Sequence, residues 1–384
     1  MRGLISLTCL LAGWLLLFSH SARGENRPMN PWEENPHYAL AWKASQQAVE
    51  KLGRGKDGTL LVLTNAGYAK AGGLDSTAAL EAITEVTGCS PGKGNLWVIH
   101  SALDQPLYFF FFSRRSGDSF YAETDEAAIR ADGKSSFQEI LSRETSRLFR
   151  HAVLKNISLA NLSSAPEETE REIKKRAHGR NWASLAALAH LWILDLPVEL
   201  VRAVQFHDHI CPGVLSGYYL ARFLSAQFPL TGDQRYFFIA SPSYCKDDAL
   251  QVLFNQTVGK RGMAVLPLSG EDQAGLLPEA RDAAGIFFRY DPKTGKGKGA
   301  VIGFAWGRLR QDSGPGKDKL FPFLDSLKQI LWMVDRRNQY DRYVYFIKTF
   351  DLLPGEVPQS YIRAGINPWE KLGLWDKNEK AKKP

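Results

Sequence analysis

The apolar positions of "PHYALAWKASQQAVEKL" (36–52) recur at helical spacing, and Gly53 ends them before the apolar run "TLLVLT" (59–64), which predicts a strand. "STAALEAITEV" (76–86) predicts a second helix with Ser76 as its N-cap. Beyond "TGCSPGKGN", the runs "LWVIH" (96–100) and "LYFFFF" (107–112), followed by "SFYAE" after the turn "RRSGD", predict a meander of antiparallel strands. Residues 125–192 change character, being rich in Ala, Leu, Glu, Arg and Lys with a polar break at 161–168, and predict helices that join two halves.

The second half repeats the order: helix (212–228), strand "RYFFIA" (235–240), helix (246–256), loop "TVGKRG", strand "MAVLPL", then the hairpin-like "GIFFRYDPKTGKGKGAVIGFAW". The expected fold class is therefore α+β, with two similar modules, each a mainly antiparallel sheet packed with helices, joined by a helical segment. "ALEAITEVTGCSPGKGNL" also resembles "DALQVLFNQTVGKRGM", which points to internal duplication of a unit of roughly 100 residues. The tail opens with a helix, "DKLFPFLDSLKQILWMVD". "NPWE" at 30–33 and again at 367–370 suggests a matched packing segment beside each half.

Residues 1–24 stand apart. The basic Met1-Arg2 start, the apolar core "LISLTCLLAGWLLLF" and the small residues of "SHSARG" predict a secretory signal peptide, cleaved after Ser21 or Gly24. The run is shorter than the ~20 residues of a spanning helix. An exported protein is expected, periplasmic or extracellular, with no stable membrane insertion after cleavage.

Export changes how charge and cysteine are read. A net charge of +7 would suit nucleic acid in the cytosol, but an exported chain rarely meets it, and part of the excess sits in "KNEKAKKP"; a solvated basic surface without a nucleic-acid partner is expected. Cys9 leaves with the signal peptide, so Cys89, Cys211 and Cys245 remain, an odd number at a density too low for a disulfide framework.

The densest candidate chemistry is "FHDHICPG" (206–213). A residue before proline is pushed toward extended backbone, and proline favours the first position of a helix, so Cys211 should be extended at the mouth of a helix beginning at Pro212. If the extended backbone reaches back to His207, the side chains at 207, 209 and 211 point to one side. The positive end of the helix there favours a thiolate. Cys245 stands at a second strand-to-helix junction, ahead of Asp247 and Asp248, and such junctions gather on one edge of a sheet. His207, His209, Cys211 and Cys245 thus offer nitrogen and sulfur ligands for one transition metal ion, zinc favoured, with iron, copper or nickel compatible, or for a metal-containing cofactor. Asp248 is placed to steady a ligand histidine. Two alternatives stay open: an enzyme whose metal keeps a position for water or substrate, and a thiol redox protein or a Cys211–Cys245 disulfide.

"TGCSPGKGN" (87–95) lacks the spacing of a phosphate loop, since only three residues separate Gly88 from Gly92 and Gly94 follows Lys93. It reads as a tight loop that leaves Cys89 and Lys93, with Lys260 of "TVGKRG", as further site candidates. Gly213, Gly217 and Ala221 make a smooth helix face that another backbone can approach.

"HDHICPGVLSG", "CKDDALQ" and "TGCSPGKGNL" together resemble the FmdE-like family of formylmethanofuran dehydrogenase, over most of 30–122 and 203–305. The resemblance implies an α+β core and a bound metal, often zinc, near those histidines and cysteines, and it places Cys89 at the cysteine of the family's third motif. Each half keeps what the other lacks: "WEENPHYAL" replaces the histidine motif in the first, and Asn255 and Gln256 replace Gly and Cys in the second. A pseudo-dimer within one chain, with Cys89 completing a composite site, is the expectation. The implied organisation is a signal peptide (1–24), a degenerate module (25–124), a helical connector (125–200), a metal-binding module (201–310) and a C-terminal extension (311–384). Dehydrogenase chemistry itself is not implied, because it needs a molybdenum or tungsten centre and electron carriers, and the chain has no iron–sulfur cysteine run.

Overall fold

The computed structural model describes residues 31–125, 127, 135–314 and 321–376; the predicted signal peptide lies outside the described residues. The apolar run at 59–64 seeds the first sheet. Leu60–Thr64 (β1) pairs in parallel with Leu96–Val98 (β2) and antiparallel with Tyr108–Ser113 (β3), and Asp118–Thr124 (β4) and Phe149–Asn156 (β5) extend it antiparallel. Pro36–Leu52 (α1) lies against Ala78–Thr87 (α2), the helix that carries the chain from β1 back to its parallel neighbour.

Every residue of β3 is buried, because the sheet is covered on both faces. Phe109 and Phe111 join the core under α1 and α2, while Tyr108, Phe110 and Phe112 enter the central core of the molecule. A strand covered on both sides needs no polar alternation, which accounts for "LYFFFF". Trp182–Trp192 (α3) packs on β1 and β3 from the central side, and Val198–Phe206 (α4) follows it.

Pro212–Gln227 (α5) then opens a second unit on the same plan. Arg235–Ala240 (β6) pairs in parallel with Met263–Val265 (β7), across Lys246–Phe254 (α6), and antiparallel with Ala283–Tyr290 (β8), which Gly297–Phe304 (β9) and Val344–Asp351 (β10) extend. The two sheets share one strand order and one set of directions. In each, an incoming helix rests on the crossover helix. The protein is α+β, with two similar modules.

The modules do not face each other symmetrically. The central core joins Leu61, Leu63 and Phe110 of the first sheet, through α3, α4, α5 and Pro322–Asp335 (α7), to Phe238, Phe287 and Ile302 of the second. The far side of the second sheet is closed by a C-terminal strap carrying Tyr361, Trp369 and Leu374.

Several expectations change. Residues 96–98 are not part of an antiparallel meander, because the α2 crossover returns the chain to the opposite edge running parallel to β1. The stretch 125–200 is not wholly helical: "FRHAVLKN" is β5, and it completes the first sheet. The C-terminal extension likewise supplies β10 to the second sheet. Ser76 does not cap α2; its hydroxyl is engaged with Gly67 N and Ala69 O, and the helix begins at Ala78. The two "NPWE" copies differ in role. Trp369 is fully buried and its indole N–H donates to Ser241 Oγ at 3.0 Å, whereas Trp32 is 45% exposed.

Candidate metal centre

Two helix starts and one helix end converge in the second module. α4 ends at Phe206, and His207 takes the capping position with its amide N–H on Ala203 O. Asp208 then adopts a left-handed conformation, φ 65°. The backbone is therefore not extended from 207 to 211 as the alternation argument required. The left-handed turn still brings the rings of His207 and His209 within 4.3 Å, centroid to centroid.

Cys211 has the local geometry that proline dictates: φ −147°, ψ 164°, at the N-cap of α5, with its sulfur accepting from Val214 N–H at 3.4 Å. Cys245 holds the corresponding place at α6. Glycine allows these two starts to meet. A Cβ on Gly213 would lie 2.9 Å from Cys245 Cβ, and one on Gly217 would lie 2.4 Å from the Lys246 carbonyl oxygen. Below Cys245, the fully buried Lys246 ammonium bonds Asp247 Oδ1 at 2.6 Å and Pro242 O at 2.9 Å, while Asp247 Oδ2 accepts from Tyr244 N–H. These bonds fix the loop that presents the thiol.

One donor atom each from His207, Cys211 and Cys245 lies within 4.8 Å of the others. The His207 Nε2 to Cys211 Sγ distance is 4.0 Å, against about 3.6 Å for the same pair on tetrahedral zinc. His207 Nδ1–H donates to Asp248 Oδ2 at 2.6 Å, which turns Nε2 toward the sulfurs, and Gln251 Nε2 reaches the other Asp248 oxygen at 3.3 Å. His209 is held by Asp208 at 2.7 Å and touches the same sulfur, Cys211, but its ring nitrogens fall outside the three-atom group.

The charges suit a cation that displaces protons. Burial would raise the Cys211 thiol, but the hydrogen bonds from His207, His209 and Val214 N–H overcome it and hold it down at about 5. Burial opposes charge on His207, yet the hydrogen bonds to Asp248 and then Cys211 lift it to about 9; Asp208, then Cys211, lift His209 to about 10. Burial and the neighbouring Cys211 push Cys245 up to about 11. Among the described residues, Cys89, Cys211 and Cys245 are all free of disulfides. A thiolate, a second thiol and an imidazole with a fixed tautomer form a set that zinc or a similar ion fits.

The remaining candidates lie elsewhere. Cys89 is buried in the core under α1 and α2, its thiol 3.5 Å from Leu60 O, with the first sheet between it and the central helices. A composite site through Cys89 is not formed. Lys93 donates to Gly88 O at 2.7 Å in an exposed loop, and Lys260 pairs with Asn255.

Residues 206–307 match the family model described as FmdE, Molybdenum formylmethanofuran dehydrogenase operon. The FmdE-like segment begins one residue before His207 and runs through β9, so it contains every member of the three-atom group and lies outside the first sheet. No curated protein matches the chain.

The first module has a junction at the corresponding place, between the starts of α1 and α2. Asn35 caps α1 just ahead of Pro36, as Cys211 caps α5 ahead of Pro212. The buried His37 follows where Gly213 stands in α5. Asn35 Nδ2 and His37 Nδ1 both bond Asp75 O, at 3.1 and 3.0 Å, shortly before α2. Direct hydrogen bonds tie the two helix starts together. Sequence reading missed this junction, as it missed the Lys246–Asp247 pair; the only signals were "ENPH" before a helix and "KDD" after a cysteine.

Proposed function

We propose that this is an exported protein whose FmdE-like module binds one transition metal ion, zinc favoured, through His207, Cys211 and Cys245. The convergence of three donor atoms within 4.8 Å carries the reading. The decisive measurement is the metal content of protein purified from the periplasm without chelators. About one equivalent is expected, lost in His207→Ala, Cys211→Ser and Cys245→Ser and retained in His209→Ala. Metal that persists in all three ligand variants would overturn the reading. Export rests on the basic, apolar and small-residue segments of 1–24. No helix among the described residues is long and apolar enough to cross a membrane. The mass of the mature chain tests cleavage.

A second reading is favoured by the ligand count. Three protein ligands on a four-coordinate ion leave one position for water or substrate, where a bound metal would supply Lewis acidity. Cobalt-substituted protein should then change its visible spectrum when cyanide is added. An unchanged spectrum would mark a closed site.

The shared strand order of the two sheets also supports descent from one duplicated unit, in which the first copy lost its ligands. A sequence profile built on residues 31–156 should align onto 206–351 better than onto unrelated α+β domains.

A further inference from the structure

The first module contributes no ligand to the metal group, yet one of its loops closes a cavity that ends at the metal group's edge. This cavity, about 300 Å³, lies between the segment His100–Gln105 and the start of α3, with Asp208 in its wall. Asp208 is the residue whose carboxylate holds His209.

The lining is rich in unused donors. Tyr108 is 3% exposed and lines the cavity, and among the described residues nothing hydrogen-bonds its hydroxyl. Asn181 makes no side-chain capping bond at the start of α3, and Ser184 one turn on also faces the cavity. Among the described residues, Arg180 reaches only Gln105 Oε1, at 3.4 Å. Asp208 is the one carboxylate in the wall. The volume sits at the small end of ligand pockets. The wall thus offers a guanidinium and neutral donors to an anionic oxygen group, and a carboxylate as acceptor.

We infer that this cavity binds a small hydroxy- or amino-carboxylic acid, its carboxylate toward Arg180 and its hydroxyl or amine toward Asp208, beside the metal centre. The inference rests on the second reading above and supplies its substrate class. A guanidinium pairs with a planar carboxylate through two parallel hydrogen bonds, and the Asp208 end repels a second carboxylate that brings no donor.

Calorimetric titration of the metal-loaded full chain with L-serine, L-malate and succinate tests it. L-serine or L-malate should bind at least tenfold more tightly than succinate. Arg180→Gln, a change at an exposed side chain, should weaken that binding at least tenfold, and Tyr108→Phe severalfold. Ser184→Trp should abolish binding by filling the cavity while the metal stoichiometry stays unchanged. Absence of binding by all three acids overturns the inference, as does affinity that is unchanged in both Arg180→Gln and Ser184→Trp. Metal content is measured on the same samples, so the two ideas fail separately. Metal without acid binding removes only the cavity assignment; acid binding without metal removes the metal centre and the reading of the acid as its substrate, and leaves the cavity as a binding site.

Discussion

Asp248 is the residue that makes His207 a usable ligand, because a carboxylate on Nδ1–H leaves only Nε2 to face Cys211. Removing such a partner ordinarily costs 10–100-fold in metal affinity. Asp248→Ala should show a loss of about that size in chelator competition, with the stoichiometry kept. Two other histidines bear on stability. His190 and His37 are buried and their pKa values are lowered, mainly by burial, so the unfolded chain takes up protons first as the pH falls. Stability from these groups is present above the unfolded value near 6.5 and is lost below it, toward the lower folded values. His207 and His209, whose values are raised, act in the opposite sense, so the test is a difference: the change in urea midpoint from pH 8 to pH 5 should be less unfavourable in His190→Gln than in wild type. An equal or more unfavourable change in His190→Gln would contradict this sign. At this scale the sequence was informative about Cys211, whose conformation follows from the next residue. It was silent about Asp208, since a left-handed aspartate leaves no periodic trace.

Among the elements, the α5–α6 contact matters most. Gly217 faces the Lys246 carbonyl, a backbone atom that cannot move without moving Cys245. Gly217→Ala should therefore cost roughly 1–3 kcal/mol of stability, the range for overpacking, and weaken metal binding as well. Ala221→Gly, one turn further along the same face, should change stability without touching metal affinity. Equal metal binding in Gly217→Ala and wild type would separate helix packing from the site. Helices and strands with strong periodicity, such as 36–52 and 235–240, were legible directly. β5 was not, because "FRHAVLKN" has the charged and alanine-containing composition of its helical surroundings, and its alternating burial shows only beside β4. The parallel placing of β2 was equally hidden, since pairing direction depends on what the crossover helix does.

For the molecule as a whole, a single central core spans both modules and a separate strap closes the second sheet. The FmdE-like segment alone would expose Phe237, Ile239 and Ile286, which Trp369, Tyr361 and Leu374 otherwise cover. A fragment of residues 206–307 should aggregate on size-exclusion chromatography while the full chain elutes as a discrete species. A monodisperse folded fragment would refute the shared core. The repeated order of elements was readable along the chain; the head-to-tail stacking was not, because sequence does not say which face of a sheet receives its neighbour. That stacking leaves two similarly placed helix-start junctions in one chain, the first tied by Asn35 and His37 to Asp75 and the second bringing together His207, Cys211 and Cys245. The protein thus carries its own control experiment. Any treatment that strips metal should alter the environment at α5 and α6 and leave that at α1 and α2 as it was, so amide exchange at the first junction is a zero line against which the second can be measured within a single molecule.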